Sequence, residues 1–161
     1  MKKLIFIRHG KAEDPVFDIS DFERSLTNKG KYTANAMAIK LREKELSIGV
    51  VISSPAFRAI ETALIFSGIY RKPSNSIIMD DNIYYNFNLS TLHEALSKID
   101  NKKNTVTLFG HNPSFTELAA ILSAGEYNSM PKCGIVAIEF NVNFWTDIIQ
   151  NTGKIIYQLT P

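Results

Sequence analysis

The sequence has a single cysteine, Cys133, so no disulfide can form within the chain, which fits a reducing compartment. It has no apolar run long enough to cross a bilayer, so no membrane role is expected. It has little excess charge: 18 Lys and Arg stand against 16 Asp and Glu, giving +2 overall. No global field for nucleic acid follows, and no nucleic-acid partner is expected; any affinity for anions must be local. There is no internal repeat, heptad run or low-complexity tract. The glycines at Gly10-Lys11 and Gly30-Lys31 lack the upstream Gly and following Ser or Thr of a nucleotide-binding loop. The lone tryptophan, Trp145, with Phe144 and Tyr127, lies in no basic stripe, so these aromatics read as core or rim.

What is present is a globular composition, 45% hydrophobic and 21% charged over 161 residues, read as one domain spanning 1–161. The opening Met1-Lys-Lys-Leu-Ile-Phe-Ile7 imitates the start of a signal peptide. Charged Arg8 and His9 cut its apolar part short, so it reads as the first strand of a cytoplasmic protein. Further buried strands are expected at Ile48–Ile52, Ile77–Met79 and Thr105–Phe109, with a hairpin of Ile135–Phe140 and Lys154–Leu159. The interval Asn141–Gly153 offers room for more strand.

Thr27 predicts the start of a helix running to about Leu46, with Tyr32, Ala36, Ile39 and Glu43 on one side and Met37 and Leu41 adjacent. Ser54 followed by Pro55 predicts a helix to about Ile69, Ser90 caps one to about Ile99, and Pro113 starts one to about Leu122. Asp80–Leu89 has no clear period. The expected fold is a three-layer α/β/α sandwich around a mostly parallel sheet, with an antiparallel C-terminal strand.

Three strand-to-helix junctions each carry a group suited to phosphate: Arg8 and His9, then Arg58, then His111. Arginine recognises phosphate oxygens through paired N–H donors, and ligands in wound α/β sheets bind beyond the carboxyl ends of strands. Gly10 lets the chain turn or a ligand approach. His93 reads as a surface histidine and Cys133 as structural. Asp80-Asp81 reads as a turn with capping or solvated acids, so no metal is expected. The acidic loop Glu13–Glu23 could select a basic partner surface, but reads rather as solvated.

These residues resemble the histidine phosphatase superfamily, and within it the small phosphohistidine phosphatases of the SixA type. The resemblance rests on Leu4-Ile-Phe-Ile-Arg-His-Gly10, Arg24-Ser-Leu-Thr-Asn-Lys-Gly30, Ser54-Pro-Ala-Phe-Arg-Ala-Ile-Glu-Thr62 and Leu108-Phe-Gly-His-Asn-Pro113. It implies a phosphoglycerate mutase-like fold, His9 as nucleophile through a phosphohistidine intermediate, and Arg8, Arg58 and His111 holding the phosphoryl group. Arg24 would add a contact, though Ser25 replaces the family's usual Pro, and Gly10 and Asn112 would line the site. No cofactor is implied. Nearby cations should keep the nucleophile neutral, whereas His111 could be neutral or protonated.

Larger members supply a carboxylic acid to the leaving group, and the corresponding stretch here, Asn82–Asn88, has none, although Asp80 and Asp81 flank it and Glu13 and Asp14 lie just after His9, which leaves room for an acid. A substrate whose leaving group departs unaided fits best. The expected partner is a phosphorylated protein, such as a His-containing phosphotransfer domain. A small phosphorylated metabolite is the alternative substrate, and a non-catalytic phospho-partner binding module the alternative class.

Overall fold

A computed structural model describes residues 1–125 and 127–161. Six strands form one sheet: β1 (Lys2–Arg8), β2 (Val50–Ser53), β3 (Ile78–Met79), β4 (Thr105–Gly110), β5 (Ile135–Phe140) and β6 (Lys154–Leu159). Their order is β3-β2-β4-β1-β5-β6. The first four positions are parallel, β5 runs antiparallel to β1, and β6 turns back antiparallel to β5. The reversed strand is therefore β5, while the last strand runs with the parallel set.

Alternation along β1 sorts the core onto two faces. Ile5 and Ile7 pack with helices α1 (Asn28–Arg42) and α2 (Phe57–Ile69), through Met37, Leu41 and Phe66. Leu4 and Phe6 pack on the other face with α3 (Asn82–Tyr85), α4 (Leu89–Ser97) and α5 (Ser114–Leu122), through Ile83, Leu92 and Phe115. This is the layered α/β arrangement expected from the sequence. Among the described residues no helix is long and apolar enough to cross a membrane.

Several local expectations are corrected. The buried stripe of α1 is Gly30, Ala34, Met37, Ala38 and Leu41, whereas Tyr32 is 77% exposed. Small residues let this helix lie close to its neighbours; a Cβ on Gly30 would stand 2.2 Å from the Lys11 carbonyl oxygen. A reading weighted by side-chain apolarity undervalues such a face.

Helix α2 begins at Phe57 rather than Pro55, with Ala56 at the cap. Ser54 still belongs to the sheet edge, its N–H donating to the Phe109 carbonyl at 2.9 Å, and the following proline favours that extended backbone. Asn88, not Ser90, caps α4, its Oδ1 accepting from the N–H groups of Ser90 and Thr91. Helix α5 begins at Ser114, with Pro113 at the cap.

Between β5 and β6 stands a single helical turn, Trp145–Asp147, rather than strand. Trp145 is buried, and its two N–H groups reach Asn101 Oδ1 and the Lys103 carbonyl, which an extended chain pairing with the sheet would not supply. His93 is half-buried, with Nε2 2.7 Å from the Ile148 carbonyl oxygen, and so ties α4 to that segment instead of standing free on the surface. Cys133 is buried, and burial pushes its thiol up to about 12.

Candidate active site

The site is set by register. In the parallel pair β1 and β4, Arg8 lies opposite Gly110, so the residues that follow, His9 and His111, emerge side by side. The His9 N–H continues the ladder, donating to the Gly110 carbonyl at 3.0 Å. On the other flank the Cys133 N–H donates to the His9 carbonyl at 3.1 Å and the Arg8 N–H to that of Gly134 at 3.1 Å. His9 is thus fixed from both sides by main chain. Its ring centroid lies 5.0 Å from that of His111.

The imidazole of His9 is 8% exposed, with Nδ1 2.7 Å from the Gly10 carbonyl oxygen. A carbonyl can only accept, so Nδ1 carries the proton and Nε2 is left with its lone pair. Gly10 is itself held: its N–H donates to Thr62 Oγ1 at 3.1 Å, and the Thr62 hydroxyl donates to the Arg58 carbonyl at 2.7 Å. A Cβ on Gly10 would meet Gly30 O at 3.0 Å and Cys133 Sγ at 3.2 Å, so the turn has room for little more than glycine.

Burial is the largest influence on His9, lowering its pKa to about 4; Arg58, Arg8 and Lys132 push the same way, while the Gly10 bond opposes them. The cations invoked from the sequence therefore act second to desolvation. His111 falls to about 3, again chiefly from burial, then from His9, Arg58 and Arg8, with Asp21 opposing. With these values both rings are neutral at pH 7. His111 Nε2 lies 2.8 Å from Ser54 Oγ, which also accepts from the Ala56 N–H.

Arg58 is 7% exposed and projects from the first turn of α2. Its Nη2 donates to Asp21 Oδ2 at 2.8 Å and its Nη1 to the Asp21 carbonyl. Arg8 Nη1 donates to the Met130 carbonyl at 2.8 Å, which also accepts from Asn112 Nδ2 at 3.2 Å. Among the described residues, Arg8 Nε, His111 Nδ1 and Asn112 Oδ1 are buried without a protein partner. Unpaired polar atoms in a cationic pocket mark a place where an anion would be well received.

The structure thus gathers Arg8, His9, Gly10, Arg58 and His111, with Asn112 beside Arg8. Arg24 joins through an intermediary: its Nη1 donates to Asp21 Oδ1 at 2.7 Å and its Nε to the Glu13 carbonyl at 2.8 Å. Asp21 also accepts from the Tyr84 hydroxyl at 3.0 Å. The acidic loop is therefore not simply solvated, since one of its carboxylates is built into the site. Asp80, by contrast, caps a turn, its Oδ1 accepting from the Asn82 N–H. Among the described residues no cluster of three His, Cys, Asp or Glu could hold a metal ion.

Sequence reasoning missed Asp21, Ser54, Thr62 and Tyr84. Thr62 had a signal, lying one helical turn beyond Arg58 and on the same face. Asp21 had a weaker one, three residues before Arg24. Tyr84 sits in the stretch that showed no period, and its ring edge packs against His111 at 5.5 Å.

Comparison with known proteins bears out the resemblance read from the sequence. Residues 4–79 match the family model of the histidine phosphatase superfamily (branch 1). The chain is 26% identical over 140 residues to an uncharacterised protein of Picosynechococcus sp., covering 84% of each. Among solved structures it superposes on a protein histidine phosphatase SixA complexed with tungstate, with a TM-score of 0.81 and 23% identity over 98% of this chain and 96% of that one. The candidate phosphohistidine phosphatase SixA of Agrobacterium tumefaciens gives 0.80 and 21% over 99% and 98%. A mycobacterial glucosyl-3-phosphoglycerate phosphatase gives 0.69 and 13% over 96% and 97%. The fold is that of the phosphoglycerate mutase-like histidine phosphatases.

Proposed function

We propose that this chain, whose residues 4–79 match the histidine phosphatase superfamily, is a metal-independent phosphatase that takes a phosphoryl group from phosphohistidine on a partner protein. The observation that carries the reading is the fixed tautomer of His9, with Nδ1 committed to Gly10 and a neutral Nε2 free to attack. In the first step Nε2 forms a bond to phosphorus as the bond from phosphorus to the partner's imidazole breaks. The partner's ring departs as neutral imidazole when its other nitrogen carries a proton. Water then attacks phosphorus, the bond to His9 breaks, and inorganic phosphate leaves.

Charge on the transferring group is met by Arg8 and Arg58 and by a hydrogen bond from His111. Phosphoryl transfer asks the protein mainly for this positioning and charge stabilisation. Asp21 is the one carboxylate among the described residues that bonds to any of these groups. Burial pushes its pKa up, but hydrogen bonds from Arg58, Arg24 and Tyr84 outweigh that and hold it at about 2, so it is ionised and has no proton to give a leaving alkoxide. A phosphoramidate needs none, because imidazole leaves far more readily. Exposed Phe57 and Tyr85 near the pocket suit a protein surface better than a small polar metabolite.

The test is incubation with a phosphohistidine-bearing protein labelled in the phosphoryl group, followed by alkaline trapping. Label on His9, and loss of both label and turnover in His9→Ala, supports the proposal; full turnover by His9→Ala overturns it. A substrate panel separates the alternatives. Faster hydrolysis of sugar phosphates than of phosphoramidates would favour a phosphomonoesterase, and tight phosphopeptide binding without phosphate release a binding module.

A further inference from the structure

We propose that Asp21 is a positioning residue that locks the phosphate-binding face of Arg58, and that Arg24 serves the site through Asp21 rather than by touching the anion. This rests on the reading of Arg58 as a phosphoryl ligand and goes beyond it.

Asp21 meets Arg58 twice, through its main-chain carbonyl and through Oδ2 at 2.8 Å. A guanidinium has five N–H donors, so two are spent on Asp21 and three remain for an anion. A long, flexible side chain held at two points loses its rotational freedom before the ligand arrives, which is the physical content of preorganisation. The carboxylate is held in its turn. Oδ1 accepts from Arg24 Nη1 at 2.7 Å, and Oδ2 accepts from the Tyr84 hydroxyl at 3.0 Å. The next residue, Phe22, packs edge to face against both Tyr84 and Phe57, at 5.3 and 6.0 Å between centroids. Tyr84 spans the gap between Arg58, 6.0 Å from its ring centre, and His111.

A different role is open to a carboxylate on such an arginine: it could stand in for the substrate and be displaced by it. The contacts argue against that role. A main-chain carbonyl cannot swing aside by changing rotamer, and the Asp21 side chain is anchored by two groups besides Arg58. A displaceable mimic would hold Arg58 by one contact and be free on its other side.

The two roles predict opposite signs. Removing a negative charge beside Arg58 makes the pocket more positive, so a displaced competitor, or charge acting alone, gives tighter oxyanion binding in Asp21→Ala. A positioning residue gives weaker binding. The measurement is the inhibition constant of orthovanadate together with kcat and KM on a phosphoramidate, in wild type, Asp21→Ala, Asp21→Glu, Arg24→Ala and the Asp21→Ala/Arg24→Ala double variant. Thermal unfolding of each controls for folding.

Expected are vanadate binding about tenfold weaker in Asp21→Ala, as for loss of a charge-assisted hydrogen bond at a half-exposed site, and partial recovery in Asp21→Glu. The double variant should be no worse than Asp21→Ala. Equal or tighter vanadate binding in Asp21→Ala overturns the inference, and so does additive loss in the double variant, which would put Arg24 directly on the anion. A wild-type protein that binds no oxyanion at all would instead refute the phosphatase reading itself.

Discussion

Burial of a neutral His9 has a consequence that can be measured without any substrate. The ring stands between two pKa values, 6.5 in the unfolded chain and about 4 in the folded one. Between those values the unfolded state takes up a proton that the folded state refuses, so stability rises with pH across that window. The contribution is fully present above 6.5 and is lost as pH falls toward 4. At 1.36 kcal/mol per pKa unit the full difference amounts to about 3 kcal/mol, of which roughly 2.5 kcal/mol is already lost at pH 4.5.

The perturbation is His9→Asn, which keeps a polar side chain of similar reach and removes the titration. Urea unfolding of both proteins at pH 7.5 and pH 4.5 isolates the term as the difference between their pH dependences. The variant should lose roughly 2–3 kcal/mol less than wild type on acidification. A difference below about 0.5 kcal/mol would refute the argument, because it would mean that His9 titrates in the folded protein near its ordinary value. Nitrogen-resolved NMR of the histidine rings gives an independent check. At pH 5 a pKa near 4 leaves the ring about nine-tenths neutral, with the proton on Nδ1. A ring mostly protonated at pH 5, or protonated on Nε2 alone, would contradict the geometry at Gly10.

Three other substitutions follow. Lys2 is buried, and its Nζ donates to the Asn101 carbonyl at 2.6 Å and to the Lys103 carbonyl and Asn104 Oδ1 at 3.0 Å. Lys2→Met takes this donor from the Asn101 carbonyl and Asn104 Oδ1, while the Lys103 carbonyl keeps its bond from Trp145, and should cost about 2 kcal/mol in denaturant unfolding while leaving kcat unchanged. Gly30→Ala should destabilise by about 1–3 kcal/mol and also lower kcat, because the new methyl must displace Lys11, whose neighbour Gly10 orients His9; a loss of stability with full activity would disprove the coupling. Thr62→Val keeps the shape but strands the Gly10 N–H, at about 1–3 kcal/mol, and activity assays should show kcat falling more than KM rises.

Most of the framework was legible because its signals are local. Leu4–Ile7 and Thr105–Phe109 are short runs of apolar, often branched residues broken by polar groups, and both became strands whose ends carry the histidines. What the sequence concealed is where one segment bonds to another. Asp21 looks like any acid in a polar loop until α2 brings Arg58 against it, and no pattern announces that a Met130 carbonyl will receive Arg8. The buried face of α1 was misjudged for a related reason. Gly30, Ala34 and Ala38 carry little apolar surface of their own, yet their smallness permits the close approach that buries them. Trp145, read as core or rim, lies in the core, but its helical turn went unseen because its backbone follows from the oxygens its two N–H groups must find.

The strand that leads into His9 lies at the centre of the sheet, and both of its neighbours come from far downstream, beginning at Thr105 and Ile135. During synthesis this apolar ribbon therefore waits with both edges open while more than half of the polypeptide is still to be made. Long-range pairing of this sort slows folding and leaves an early intermediate prone to self-association. The same delay means that nascent chains cannot assemble this cluster piecemeal: the His9 imidazole acquires its flanking main-chain bonds only when β4 and the turn before β5 close around it.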